Sequence, residues 1–252
     1  MVLDNRLRNV CLIERPEIPI MMPSSRIGLV VSLWRYPVKS LRGEQLDSLT
    51  IEPRGAVGDR LFAVRDSDGK FGSGKSTRRF RRMDGLLELR AGYDGTTPVI
   101  TFPGGAAYSG DDQAIHDRLS DHVGQPVSLT REGEVSHFDD SPVHLITTAG
   151  LRSLGLADDD AQRFRPNVVI QVPGYGFVED TWIGRELEVG DVRLRITEGA
   201  VRCVMIGMAQ EDLPDRPDLL RRVGDLHDTC FGVYATVVSP GEMAIGMDAR
   251  LI

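Results

Sequence analysis

The sequence predicts a mainly β fold with some helix, on three observations. Short apolar or alternating runs of strand length outnumber runs with helical spacing. Gly, Pro and Asp clusters such as Asp66-Ser67-Asp68-Gly69 and Pro240-Gly241 punctuate them. Strand and helix patterns do not alternate regularly, which argues against a doubly wound parallel sheet. At 252 residues the chain can bury roughly 70–75% of its unfolded surface, so its core requires neither metal nor disulfide.

Residues 1–25 carry three prolines and no periodicity and read as a poorly ordered extension, with Met21 or Met22 as alternative starts. Ile27 to Leu33 is apolar and β-branched, Leu46 to Glu52 alternates, and Leu61 to Arg65 runs into the turn at 66–69, so each reads as a strand. Leu86 to Arg90 and Pro98 to Phe102 flank a Gly/Asp turn and predict a hairpin. Ile115, Leu119 and Val123 stand at helical spacing over Asp111 to His122, and Gly124 stops the pattern. Val127 to Thr130 returns to strand character. The polar, acidic stretch Arg131 to Asp140 marks a boundary between two units, 26–130 and 139–252.

In the second unit Val143 to Ile146 leads into a short helix capped by Thr147 or Thr148, with Leu151 and Leu154 inside. Asn167 to Val172 reads as a buried strand, and Val189 to Met205 supplies at least one more. Asp218 to Leu226 predicts a helix. Phe231 to Val238 and Met243 to Leu251 predict a terminal hairpin around Pro240-Gly241.

Charge and cysteine usage bound the function. A net charge of −7 argues against a general nucleic-acid or anionic-membrane binder. No stretch reaches the ~18 apolar residues of a membrane helix, and charged residues interrupt every apolar core near the N-terminus, unlike a signal peptide. Cys11, Cys203 and Cys230 have no short spacing. That argues against a Cys-x-x-Cys zinc site and a disulfide framework, and points to a reducing cytoplasm.

Gly69-Lys70-Phe71-Gly72-Ser73-Gly74-Lys75-Ser76 matches the phosphate-loop spacing G-x-x-x-x-G-K-[ST]. Its context is wrong for an NTPase. Asp66-Ser67-Asp68 makes Gly69 a hairpin-turn residue, and Thr77 to Arg82 lacks the apolar face of a helix under a sheet. The run Lys75, Arg78, Arg79, Arg81 and Arg82 reads either as a solvated charge run or as a local anion site, since arginine grips phosphate with a bidentate fork.

Cys203 follows the alternation Asp191 to Ile196 and sits beside Arg202. A cation-flanked thiol can be held as the thiolate that binds metals and attacks electrophiles. By itself the setting fits a small buried hydrophobe at least as well.

Trp34-Arg35-Tyr36-Pro37-Val38-Lys39-Ser40 followed by Gly58-Asp59-Arg60-Leu61-Phe62 resembles the N-terminal β-barrel domain of the MOSC family, named for the C-terminal domain of molybdenum cofactor sulfurase. The second half is similar to the MOSC domain itself. Its blocks come in family order: Ser141 to Ile146, Arg163-Phe164-Arg165-Pro166-Asn167, Glu179-Asp180-Thr181-Trp182, Arg202-Cys203, and Phe231-Gly232-Val233-Tyr234 with Pro240-Gly241. The resemblance spans about residues 26–252 and implies an N-terminal β-barrel-like domain followed by a strand-rich MOSC β-barrel.

The resemblance also implies a pterin-based molybdenum cofactor, with Cys203 as metal ligand and catalytic residue. A soft thiolate suits such a metal. Matching positions for holding the cofactor are Lys39, Ser40, Arg60, Arg165 and Asn167, together with Asp180 and Tyr234. The glycine- and arginine-rich segment 74–79 is expected to add an anion contact, with Arg78 the candidate. Each has an ordinary alternative: Lys39 and Arg60 as surface charges, Asp180 as a cap, Asn167 as a turn residue, Tyr234 as a core aromatic. Val201 stands where amidoxime-reducing members carry a small hydroxyl or polar residue.

By this resemblance the function is reduction of small N-hydroxylated compounds, with electrons from a separate flavin, haem or iron–sulfur protein. His144 and His227 are candidates for proton delivery. A carrier of cofactor or of labile sulfur on Cys203 is the first alternative, and a P-loop NTPase the more distant one. Pyridoxal phosphate binding enters as a family term, through the sulfurase that gives the family its name.

Overall fold

A computed structural model describes residues 25–211 and 213–252, so the expected extension and Cys11 lie outside the described residues. The first half runs β1 (Ser25–Arg35), β2 (Val38–Lys39), β3 (Glu44–Leu46), β4 (Ser48–Glu52), β5 (Gly55–Ala56), β6 (Phe62–Asp66), β7 (Phe71–Ser73), β8 (Phe80–Arg82), β9 (Arg90–Asp94), β10 (Thr97–Thr101), β11 (Ala107–Ser109), α1 (Ala114–Val123) and β12 (Val127–Arg131). The second half runs β13 (Val143–Thr147), α2 (Thr148–Ser153), β14 (Val168–Gln171), β15 (Glu186–Val189), β16 (Val192–Val201), α3 (Leu219–His227), β17 (Cys230–Ser239), β18 (Gly241–Ala244) and β19 (Asp248–Leu251). The fold is mainly β, as the punctuated strand pattern requires.

Seven strands close a barrel in the order β14-β13-β17-β16-β15-β19-β1, with β1 returning to β14, and β3 extends the sheet from β1. Alternation drives closure. Along β16, Val192, Leu194 and Ile196 turn inward while Arg193 and Arg195 face solvent. Val143 and Leu145 of β13 join Val168 and Ile170 of β14 in the barrel core, together with Val30 and Leu33 of β1. Each buried side chain of this kind contributes about 1.5–3 kcal/mol. The opposite faces of β13 and β14, Ile146 and Val169, pack with Leu151 of α2, Leu219 of α3 and Phe231. Helices cover this part of the barrel, so β13 and β14 are apolar on both faces.

A second, smaller sheet, β12-β6-β7-β8 with β2 beside β6, shares its core with α1 through Val38, Val64, Ile115, Leu119 and Leu129. The two halves interleave. β1 and β3 belong to the barrel sheet, and β4 pairs with β18.

Several expectations need correction. Leu86 to Glu88 is a 3₁₀ turn entered through Gly85 at φ 86°, and the hairpin instead pairs β9 with β10. Consecutive Leu86 and Leu87 are both buried, which a one-faced strand cannot achieve. No terminal hairpin forms around Pro240: β17 pairs with β13 and β16, β18 with β4, and β19 with β1 and β15. Closing the barrel buries more apolar surface than a local turn would. β13 and β14 run parallel through α2, a single βαβ unit that the alternation count did not anticipate. Cys230 is buried at the start of β17. Cys203 is the free thiol among the described residues.

Candidate functional site

A cleft of about 320 Å³ opens where the barrel meets the smaller sheet. Lys39 and Ser40 enter it from the end of β2, Ser73 and Lys75 from β7 and beyond, and His144 from β13. Arg165 and Asn167 come from the approach to β14, Cys203 from the end of β16, and Tyr234 from β17. Three of its residues, Ser40, Arg60 and Arg165, hold left-handed backbone at φ 66°, 53° and 56°. Such conformations cost about 1–3 kcal/mol each in non-glycine residues and gather at functional sites.

The cations of the cleft are held by carboxylate, carbonyl and aromatic partners. Asp59, fully buried, accepts from the backbone N–H of Tyr36 at 2.8 Å and pairs with Arg60. The Tyr36 ring lies 5.0 Å from the Arg60 guanidinium and 4.3 Å from that of Arg165. Arg60 Nη2 donates to the Arg165 carbonyl at 3.1 Å, and Arg165 Nη1 donates to the Leu41 carbonyl. Arg165 Nη2 is buried without a protein partner. Burial first, then the Arg60 charge, lowers the Arg165 pKa to about 10. Lys39 Nζ donates to the His137 carbonyl at 2.8 Å and to Asp139 at 2.6 Å. Burial lowers its pKa, and Asp139 opposes that shift.

Around Cys203 the lining is less charged. Arg202 donates Nε to the Ala200 carbonyl and Nη1 to the Phe164 carbonyl, both at 3.0 Å, so backbone holds this cation beside the thiol. Val201 stands exposed at the cleft, and Met205 and Ile206 follow Cys203 in a 3₁₀ turn. His144 is buried with Nδ1 3.4 Å from the Arg165 carbonyl. Burial, then the Arg202 charge, push its pKa well below 6.5, so the ring is neutral at pH 7. Burial pushes Tyr234 up to about 12, leaving a phenol that can donate.

The structure brings Lys39, Ser40, Arg60, Arg165, Asn167, Cys203 and Tyr234 together on one cleft. Asn167 lines it but is occupied: its Oδ1 accepts from the His144 N–H at 3.1 Å and its Nδ2 donates to the Trp34 carbonyl at 3.3 Å, tying β13 to β1. Two expected residues stand elsewhere. Arg78 is exposed outside the cleft, and its neighbour Arg79 lines it instead, because the bend after β7 turns alternate side chains apart. Asp180 lies off the cleft and bonds His227 Nε2 at 2.6 Å, which places His227 off the cleft too.

The phosphate-loop match is also resolved. Asp66 Oδ1 takes the backbone N–H groups of Asp68 and Lys70 at 3.0 and 2.9 Å, β7 runs through the motif, and no helix follows it. Those N–H groups are unavailable to a phosphate. Asp59, Tyr36, Arg163 and Asp139 escaped sequence reasoning as site residues. Only the adjacency Asp59-Arg60 offered a signal, and a buried carboxylate is invisible without the fold.

Comparison with known proteins agrees with this architecture. The model of the MOSC domain matches residues 121–250, and that of the MOSC N-terminal beta barrel domain matches residues 27–138. The chain belongs to the MOSC domain family. It is 24% identical to mitochondrial amidoxime-reducing component 1 of Mus musculus, over 90% of this chain and 83% of that protein. It is likewise 24% identical to mitochondrial amidoxime reducing component 2 of Rattus norvegicus, over 88% of this chain and 82% of that one. Among solved structures, the YUAD protein of Bacillus subtilis aligns with a TM-score of 0.47 at 12% identity, covering 90% of this chain and 97% of that one.

Proposed function

We propose that this protein is a molybdenum cofactor-dependent reductase of small N-hydroxylated compounds, fed with electrons by a separate protein. The observation that carries the reading is a free, half-buried thiol opening on the same cleft as a buried guanidinium with an unspent donor, Arg165 Nη2. A pterin cofactor with a terminal phosphate and a thiolate-seeking metal asks for that donor set. Amidoxime reduction by the curated relatives, as their names state it, supports the same class.

In this reading Cys203 ligates the metal. Arg165, Arg60 and Lys39 hold the anionic end of the cofactor, and Ser40 adds a hydroxyl. When bound, the cofactor supplies the two-electron redox couple. The chain supplies binding and a proton path. Arg202, fixed by its carbonyl partners, keeps a positive charge on the cleft that Cys203 also lines. Tyr234, protonated at neutral pH, can hydrogen-bond an N–OH oxygen, whereas His144 is neutral and accepts or donates at one nitrogen.

Metal analysis with a dye-coupled assay tests the reading. The purified protein should hold molybdenum near one per chain and oxidise a reduced viologen with benzamidoxime. Cys203→Ala should lose both. A metal-free protein carrying persulfide on Cys203 would instead establish the sulfur-carrier alternative.

A further inference from the structure

The connection between the two halves of the chain joins the wall of the cleft and brings a carboxylate into it. Asp139, Asp140 and Ser141 line the same cleft as Lys39, Arg60 and Arg165. Asp139 Oδ1 accepts from Lys39 Nζ at 2.6 Å, and its side chain is still 56% exposed. Desolvation in the cleft would raise its pKa. The Lys39 charge and hydrogen bond, then the charges of Arg60 and Arg165, outweigh that and hold it well below the usual carboxylate range. The carboxylate is therefore ionised at neutral pH, and it acts on the three cations that an anionic ligand would use.

The wall does not need that carboxylate for its shape. Arg79 donates to the carbonyls of Ser136 and Phe138 at 2.8 Å and to that of Asp139 at 3.3 Å. Glu132 accepts from the His137 N–H at 2.7 Å and from Arg54 at 2.7 and 2.9 Å. The Phe138 ring lies 4.4 Å from the Arg54 guanidinium, and the buried His137 ring meets Phe71 edge-on at 5.1 Å. Lys39 is likewise placed without Asp139, because Nζ donates to the His137 carbonyl at 2.8 Å. One of its three N–H groups remains for a ligand. Asp139 thus contributes charge to the cleft more than architecture, and that charge opposes the anions its neighbours attract.

We propose that Asp139 is a specificity-determining counter-anion built into the cleft, which competes for Lys39 and so weakens capture of free phosphate and sulfate. Specificity arises from penalising the wrong ligand as much as from gripping the right one. With the cationic end weakened, retention depends on a second anchor elsewhere in the cleft. In the reductase reading, on which this part of the proposal rests, that anchor is the metal on Cys203. A simple phosphate has no such second end. The opposite role, Asp139 as a positioning residue for Lys39, predicts the opposite sign: its removal would weaken anion binding.

Calorimetric titration of the full chain with inorganic phosphate and with sulfate tests the proposal, using protein produced in a host that lacks molybdopterin. Asp139→Asn should bind both anions about 5- to 20-fold more tightly than wild type at low ionic strength, and the gain should shrink as salt is added. Asp139→Glu restores the charge and should return affinity to near the wild-type value. Asp140→Asn should gain less, because Asp140 lines the cleft without an ion pair to any of the three cations among the described residues. Affinity that is unchanged or lower in Asp139→Asn overturns the proposal, as does an equal gain in Asp139→Glu or Asp140→Asn. Absence of phosphate and sulfate binding in every variant overturns it too. Because binding is read without metal, failure of amidoxime reduction counts against the reductase reading alone, and a failed titration leaves Cys203 ligation to be judged by metal analysis.

Discussion

Two buried polar clusters flank β13, and they are built to opposite ends. In the cleft, Arg60, Arg165 and Lys39 are held by Asp59, Tyr36 and Asp139 with room left in front of them and an unspent donor on Arg165. In the second cluster, Thr147 donates to the buried Glu179 at 2.7 Å and Asp180 bonds His227 at 2.6 Å. Phe177 stacks on the His227 ring at 4.0 Å. Phe231 connects the clusters, meeting Phe164 of the cleft at 4.5 Å and Phe177 at 6.1 Å. The same ingredients, buried charge and hydrogen bonds, yield a binding site in one place and a structural joint in the other. What differs is open volume, and the sign of the charge left over.

The comparison can be broken most sharply at Arg165. Arg165→Ala removes a charge-assisted donor from the cleft, and cofactor affinity measured by reconstitution should fall about 10- to 100-fold while the melting temperature stays near wild type. A variant that unfolds with no change in affinity per folded molecule would make Arg165 structural, like its counterparts in the second cluster.

A pH experiment on Glu179 comes next. Burial raises its pKa from 4.5 to about 7 despite the Thr147 hydrogen bond. The folded state thus keeps a proton that the unfolded chain releases. That stabilisation is complete below about pH 4.5 and is lost as pH rises through 7. His227 acts in the same direction: burial would lower it, but the Asp180 hydrogen bond outweighs that and raises it above 6.5. Unfolding free energy should therefore decline between pH 5 and pH 8. Glu179→Gln should recover about 2 kcal/mol at the alkaline end, read from urea melts, with molybdenum content unchanged. A slope identical in wild type and variant would remove Glu179 from the account.

The smallest expected effect is at Asp180. Asp180→Asn takes the charged partner from His227 and should cost about 1 kcal/mol at pH 6 and less at pH 9, leaving metal loading intact. Loss of molybdenum in that variant would return Asp180 to the cofactor site that sequence resemblance assigned to it.

The contrast also shows which inferences the chain supported unaided. Mainly β architecture, the α1 stop at Gly124 and a threonine cap at Thr147 or Thr148 were legible because each depends on neighbours within a few residues: apolar period, a left-handed glycine, a hydroxyl before a helix; the structure settles the cap on Thr147. Motif order marked Cys203, Lys39, Ser40, Arg60, Arg165 and Tyr234, and they line one cleft. Motif order also marked Asp180 and Arg78, which do not. Only tertiary structure separated the two groups. Whether β13 turns a side chain toward the cleft or toward Glu179, and whether the connection after β7 aims Arg78 or Arg79 inward, depends on pairing and packing between strands far apart in sequence. Local sequence carries no record of that distance. A residue's chemical type was thus readable from the chain, while its partner, its burial and the space in front of it were decided by the fold.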